Sequence, residues 1–351
     1  MKTLNHERKK LYDNLEKKLV NTPLEKYRGE VPNGNSIWIK RQCDSLFGSH
    51  YDLPYLNLFK HYESIGAIKP GDKIFETTSG SAGISVAGIG KLLGYECHIA
   101  IPDGGEKVRV EDIKKNGGIV YLTEKNKYVN GFLGFAPRFL AKNRDIFYLN
   151  HSMGKTKKEI NEITISSMEK ISRESLESLN SNGKDIDYFV PAIGNGSSLL
   201  GPGRVFDKSK TKVIGFEPFM SGLAYDLVYP GKYEEVYGIK PGSLPKQGLP
   251  GMSFQIKGRH TPIPAIKKAV KENILKGVVL VSDEKNDRNY FELTGKKLSE
   301  DLPHWDKNLY GEFGRSTQAG IQVSKKLAKD VSNKNFLIIG YDKIERYDKW
   351  K

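Results

Sequence analysis

The stretch Lys73-Ile74-Phe75-Glu76-Thr77-Thr78-Ser79-Gly80-Ser81-Ala82-Gly83 decides the fold. Lys73–Glu76 is a short apolar run carrying β-branched and aromatic residues, the signature of a strand. Glu76 to Gly83 is a loop of small residues, and Ser81–Leu93 then has the 3.6-residue periodicity of a helix. A strand that runs through a Gly/Ser loop into a helix is the repeating piece of a parallel α/β sheet.

The same alternation extends in both directions. Strand-like runs recur at Ser36–Lys40, Cys97–Ile101, Gly118–Leu122, Ile146–Asn150, Tyr188–Ile193, Lys212–Phe216, Val278–Val281 and Phe336–Ile339. Helical periodicity fills Leu53–Ser64, Glu106–Asn116 and Lys155–Leu179. The strands are continuous apolar runs, which suits sheets covered on both faces. Ser181-Asn182-Gly183-Lys184 reads as a turn, and Pro218–Pro264 as a long loop region decorated with short elements. Ligands are expected at the carboxyl ends of the strands, where the loops gather.

A second loop has the same design: Gly194-Asn195-Gly196-Ser197-Ser198 follows a strand and opens a helix. Glycines let the backbone approach a ligand closely, and a helix N-terminus offers N–H donors and partial positive charge. Either loop suits a phosphate or a carboxylate; either alone is also compatible with a plain strand-to-helix turn. Gly154-Lys155-Thr156 resembles the end of a phosphate-binding P-loop, but the first glycine of that motif would fall at Leu149, which argues against nucleotide hydrolysis.

The 351 residues are 38% hydrophobic, enough for a sizeable core, and no apolar run is long enough for a membrane span. The charged start, Met1 to Lys10, does not read as a secretory signal. Cys43 and Cys97 cannot build a disulfide framework, so a reducing cytoplasm is expected. The net charge of +14 comes mostly from lysines interspersed with acids, as in Glu106-Lys107-Val108-Arg109-Val110-Glu111-Asp112, which reads as a solvated face and argues against nucleic acid. No paired His or Cys spacing suggests a metal.

Several ordered motifs resemble the fold type II family of pyridoxal-phosphate enzymes, which includes cysteine synthase, threonine synthase and tryptophan synthase β. They are Asn21-Thr22-Pro23-Leu24, Ile37-Trp38-Ile39-Lys40, Thr78 to Gly83, Gly194 to Ser198 with Gly201-Pro202-Gly203-Arg204, Phe216-Glu217-Pro218, and Glu345-Arg346-Tyr347. The resemblance implies a two-domain, three-layer α/β/α fold with mostly parallel sheets, tryptophan synthase β-like. The smaller domain would span 38–150, and the larger 1–37 plus 151–351. The resemblance also implies that Thr78, Ser79, Gly80, Ala82 and Gly83 hold a substrate carboxylate, that Gly194, Asn195, Gly196, Ser197 and Ser198 hold the pyridoxal 5'-phosphate group, and that the chain is a homodimer.

One departure matters as much as the matches. The family bonds its cofactor to a lysine, and in the corresponding Gly48-Ser49-His50-Tyr51-Asp52-Leu53 that position is Tyr51. A phenol forms no imine; with an ordinary pKa near 10 it is also a poor base at neutral pH. Ser81 replaces an asparagine that touches the cofactor ring, and Asp342 falls where a serine meets the ring nitrogen. Lys40 and Lys343 are the nearest substitute lysines in sequence. Tyr51 and His50 are therefore the candidate proton-transfer residues, with His151, at the end of the strand Ile146–Asn150, a candidate ligand contact. The resemblance implies cysteine-synthase-like replacement or lyase chemistry on an amino acid. The alternative is a non-catalytic protein of the same fold that binds an amino acid or phosphorylated metabolite, or acts as a regulatory partner.

Overall fold

The structure is a computed structural model and describes residues 4–124, 127, 129–153, 161–244, 264–306 and 311–348. In chain order the elements begin with α1 (His6–Leu19), β1 (Leu24–Lys26), β2 (Ser36–Lys40), α2 (Asp52–Ser64), β3 (Lys73–Thr77), α3 (Ala82–Leu93) and β4 (Glu96–Pro102). There follow α4 (Lys107–Lys115), β5 (Ile119–Thr123), α5 (Val129–Lys142), β6 (Ile146–Tyr148), α6 (Glu162–Asn180), β7 (Tyr188–Phe189), α7 (Ser197–Val205) and β8 (Lys212–Pro218). The chain closes with α8 (Leu223–Val228), α9 (Lys232–Tyr237), α10 (Pro264–Lys271), β9 (Leu275–Val281), α11 (Glu284–Thr294), α12 (Arg315–Leu327) and β10 (Asn335–Ile339).

The chain divides into two compact units. The first gathers Met1–Thr22, Gln42–Met168 and Asp342–Lys351; the second gathers Pro23–Arg41 and Glu169–Tyr341. By this division residues 1–22, 151–168 and 342–351 group with the unit that holds the Thr78–Gly83 loop, and 38–41 with the other, where the sequence reading expects the reverse. The start of the expected Lys155 helix and the Gly154-Lys155-Thr156 motif lie outside the described residues, as does most of the end of the Pro218–Pro264 loop region; α8 and α9 decorate the start of that region.

In the first unit the sheet order is β5-β4-β3-β6, all parallel. Alternate residues point to opposite faces of a strand. Ile74, Cys97, Ile99 and Ile101 join the cluster formed with α1, α2 and α3, while Phe75 and Ala100 join Ala136, Phe135 and Phe139 of α5 on the other side. Both faces are thus covered, which explains the unbroken apolar runs. Helix α1, hidden in a charged N-terminus, buries Tyr12, Leu15 and Leu19 at helical spacing; Asn5 Oδ1 caps it by accepting from Arg8 N at 2.9 Å. Glu63 fastens it to α2, accepting from Arg8 Nη2 (2.6 Å) and from the Tyr12 hydroxyl (2.8 Å).

In the second unit the order is β1-β2-β10-β7-β8-β9, with β1 antiparallel and the rest parallel. Strand β10, from near the chain end, lies at the sheet centre between β2 and β7. Among the described residues, no helix is long and apolar enough to cross a membrane.

Candidate functional site

The predicted residues fall into two groups, one in each unit. In the first unit they gather at the carboxyl ends of β3 and β6, which are adjacent parallel strands.

The entrance to α2 is built by a buried acid and a partly buried arginine. Asp52, the first helical residue, accepts from Phe47 N (2.7 Å) and from Ser85 Oγ (2.6 Å). Its complete burial pushes the carboxyl above the usual range, a shift those hydrogen bonds partly offset. Arg346, from the closing Glu-Arg-Tyr motif, donates to the carbonyls of Phe47 and Gly48. Gly48 has φ +65°, and a Cβ there would lie 2.7 Å from Arg346 Nη2, so this turn requires glycine. The turn sets His50 and Tyr51 side by side with ring centroids 4.2 Å apart.

Tyr51 stands edge-on to His151, at 5.1 Å between centroids. His151 is held by the strand next door. Its backbone N–H donates to Glu76 Oε2 (3.1 Å), its Nδ1 lies 3.2 Å from the same oxygen, and the Tyr55 hydroxyl is 3.0 Å from Nδ1. Glu76 is 1% exposed, and its Oε1 accepts from Thr77 N at 2.8 Å. Burial, reinforced by the Glu76 charge, holds the Tyr55 phenol well above its ordinary pKa, so it stays protonated. On the other edge of the imidazole, Nε2 lies 3.4 Å from Ser152 Oγ.

The Thr78–Gly83 loop is fixed from within and from the chain end. Thr78 N donates to Ala100 O (3.0 Å), and Gly80 N to Thr78 Oγ1 (3.1 Å). Ser81 Oγ donates to Asp342 Oδ2 (2.8 Å), and Ala82 and Gly83 enter α3 as buried residues. Asp342 also accepts from Arg109 Nη2 at Oδ2 (3.1 Å) and from the Tyr347 hydroxyl at Oδ1 (2.9 Å). Arg109 Nη1 reaches the carbonyl of Ser79 (3.4 Å), and its guanidinium lies 4.5 Å from the centre of the Tyr347 ring.

Arg109 corrects the reading of Glu106–Asp112 as a solvated face. It is 2% exposed and shares the inward side of α4 with Ile113, four residues on. Arg109, Glu76, Tyr55 and Arg346 were not among the candidate residues. The only signal for Arg109 was its spacing from Ile113.

The second unit holds the other loop. Gly194–Ser198 follows β7, and Gly196 caps α7 with φ +89°. A Cβ on Gly196 would lie 3.0 Å from Ala265 and Ile266 of α10, so only glycine fits. Asn195 Oδ1 accepts from Ser197 N (2.9 Å), and both serines are buried at the helix N-terminus. The substitute lysines are engaged elsewhere: Lys40 Nζ pairs with buried Glu174 at 2.7 Å, and Lys343 Nζ with Asp44 at 3.2 Å. Burial lowers the Lys40 pKa, partly offset by Glu174. Among the described residues, no group of three or more His, Cys, Asp or Glu side chains is placed to hold a metal ion.

The profile of the family described as "Pyridoxal-phosphate dependent enzyme" matches residues 15–285, a span that includes both loops. The chain belongs to this family. As a member of the pyridoxal-phosphate dependent enzymes it is 28% identical over 240 residues to a cysteine synthase of Staphylococcus aureus, covering 68% of this chain and 71% of that one. It is 36% identical over 118 residues to cysteine synthase B of Salmonella typhimurium, covering 33% and 39% of the two chains. A solved O-ureido-L-serine synthase superposes with TM-score 0.70 at 20% identity, covering 95% of this chain and 92% of that one. A hydrogen sulfide-producing enzyme from Fusobacterium nucleatum gives TM-score 0.73 at 21% identity, covering 95% and 99%. These structures share the mixed, largely parallel α/β fold expected for this family of pyridoxal-phosphate dependent enzymes.

Proposed function

We propose that this chain binds pyridoxal 5'-phosphate without a covalent lysine and acts on an amino acid, in the manner of a lyase or a cysteine-synthase-like replacement enzyme. One observation carries the reading: the family match spans both loops, while the residue that resembles the cofactor lysine is Tyr51. The phosphate end of the cofactor fits the residues present. Gly196 opens α7 in a left-handed turn, and the helix N-terminus with Ser197 and Ser198 supplies donors for an anion. The covalent end does not fit, because a phenol makes no imine with an aldehyde.

In this reading Gly194, Asn195, Gly196, Ser197 and Ser198 hold the phosphate, while Thr78, Ser79, Gly80, Ala82 and Gly83 hold the carboxylate of the amino acid. When bound, the cofactor supplies an electron sink for charge developing at the amino acid Cα. Ser81 and Asp342 are assigned to the ring end of the cofactor, with Asp342 also paired to Arg109. His50 and Tyr51 border the reacting region. A homodimer in a reducing, cytoplasmic setting completes the proposal, consistent with the buried thiols Cys43 and Cys97.

The test is a visible absorption titration of the purified protein with pyridoxal 5'-phosphate, followed by borohydride reduction and peptide mapping. Saturable binding with no peptide trapped on a lysine supports the proposal. A trapped lysine replaces it with ordinary covalent chemistry. No binding at all turns the reading to a non-catalytic protein for an amino acid or another phosphorylated metabolite.

A further inference from the structure

The end of β9 carries a cluster of charges that the proposed chemistry does not use. Segment 299–306 lies across this end. Ser282 N donates to Pro303 O (2.9 Å), Trp305 N to Ser282 O (3.3 Å), and Trp305 Nε1 to Asp283 Oδ2 (3.1 Å). Leu302 packs on the cluster of Phe219, Leu280 and Tyr290, and Trp305 is buried. Between the segment and α11 stands His304. Its Nε2 lies 2.8 Å from Asp287 Oδ2, on α11, and its Nδ1 lies 2.9 Å from Asp306 Oδ1. Both acids are fixed in turn. Asp287 Oδ1 accepts from Ser282 Oγ (2.6 Å), and Asp306 Oδ2 accepts from the N–H of Glu284 (2.8 Å), the first residue of α11.

These contacts set a proton count that no choice of tautomer changes. A neutral imidazole has one N–H. Whichever nitrogen carries it, the other turns a lone pair on a carboxylate oxygen at hydrogen-bonding distance. Two hydrogen bonds need one more proton, and the ring takes it before an acid does, because an imidazole's ordinary pKa near 6.5 stands above a carboxylate's near 4. Burial alone would raise the Asp306 carboxyl; the hydrogen bonds from His304 and from Glu284 N bring it below its usual range. Charges also come from the helices packed here. Asp283 and Glu284 stand at the start of α11, and Asp283 Oδ1 accepts from Asn286 N at 2.7 Å. From α12, the Arg315 guanidinium lies 5.4 Å from the centre of the Trp305 ring, and Lys326 Nζ donates to Asp301 O at 2.6 Å.

We propose that His304 is a pH-operated latch: as the imidazolium it bridges Asp287 to Asp306 and holds segment 299–306 across the end of β9, and on losing a proton it releases the segment from α11. Loss of that proton turns one of the two bridges into a repulsion and leaves Asp283, Glu284, Asp287 and Asp306 crowded around one helical turn. Two carboxylates favour the charged ring, so it stays protonated above its ordinary range. The latch is therefore fully closed below about pH 6.5 and is lost as pH rises through the higher folded value. Asp306, with its side chain 7% exposed, is the stronger partner; Asp287, 38% exposed, is more screened by solvent. The latch requires no cofactor and stands apart from the proposed function.

The first test is an NMR titration of the histidine-labelled chain from about pH 5 to about pH 9, with His304 assigned through His304→Gln. His304 should titrate about one unit or more above 6.5, a tenfold tighter hold on its proton, and Asp306→Asn should lower that midpoint more than Asp287→Asn does. A midpoint at or below about 6.5, or one that neither substitution moves, overturns the latch. The second test reads the segment itself. With Trp38 and Trp350 replaced by Phe, acrylamide quenching of Trp305 fluorescence should step up several-fold at the pH where His304 titrates. The step should follow that midpoint downward in Asp306→Asn and vanish in His304→Gln. Amide exchange at Ser282 and Trp305 in the otherwise wild-type chain gives the same reading if the Trp-reduced protein does not fold. A segment that stays closed across the His304 midpoint, or a step that survives in His304→Gln, overturns the latch even with the imidazole titrating as expected.

Discussion

Arg109 and Asp342 form an ion pair 3.1 Å apart with both residues almost wholly buried, 2% and 3% exposed. They are 233 positions apart in the chain, yet together they hold the middle of one loop. Arg109 donates to the carbonyl of Ser79, and Asp342 accepts a hydrogen bond from the hydroxyl of Ser81. Breaking such a pair leaves one buried charge uncompensated, which costs more than the pair contributes when intact. Arg109→Met and Asp342→Asn should each destabilise the protein by about 3–5 kcal/mol in urea denaturation. The double variant should cost less than the two single losses added together. Strict additivity would show that the two side chains are not coupled.

The turn before Tyr51 gives a second prediction. Gly48→Ala places an L-residue at φ +65° and a methyl 2.7 Å from Arg346 Nη2. The backbone alone costs roughly 1–2 kcal/mol, and displacing Arg346 strips a donor from the carbonyls of Phe47 and Gly48. In an Arg346→Ala background the alanine should cost only the backbone share. Equal costs in both backgrounds would mean that the close approach carries no energy.

Glu217 predicts a pH dependence. It is wholly buried at the end of β8, and burial pushes its carboxyl up to about 7 from an ordinary 4.5, against a hydrogen bond from Tyr225 N at 2.7 Å. Because the folded pKa is the higher one, the native state binds the extra proton between these values. The group's stability is complete below pH 4.5 and is lost as pH rises through about 7. Glu217→Gln keeps an acceptor for Tyr225 and removes the titration. Relative to wild type it should gain about 3 kcal/mol between pH 4.5 and pH 8. A difference that stays flat with pH would sink the assignment.

The proposed function puts Tyr51 at the position of a cofactor-bonding lysine, and Tyr51→Lys supplies an amine there. On the proposed function, borohydride should then trap pyridoxal phosphate on residue 51, in a peptide that gives no adduct in wild type. Cofactor that still binds without being trapped would place residue 51 away from the aldehyde.

Much of the architecture was legible in one dimension. Strand runs such as Cys97–Ile101 and helical periods such as Leu53–Ser64 depend on neighbours within a few residues, and the small loops at Thr78–Gly83 and Gly194–Ser198 announce themselves by composition. Helix α1 escaped notice because lysines and acids surround its three buried positions, Tyr12, Leu15 and Leu19. Strand β1 escaped because three residues cannot display a period.

The sequence by itself determined the parallel α/β class, the two small-residue loops and the family resemblance, because each is written in contiguous residues. Tertiary structure alone decided that Arg109 turns inward to Asp342, that Arg346 braces the turn before Tyr51, and that Glu76 and Tyr55 converge on His151. These partners lie 233, 298, 75 and 96 positions apart. Burial is what makes the difference: a charge out of water must find its counterpart within hydrogen-bonding distance, and only the folded chain sets which side chains come that close.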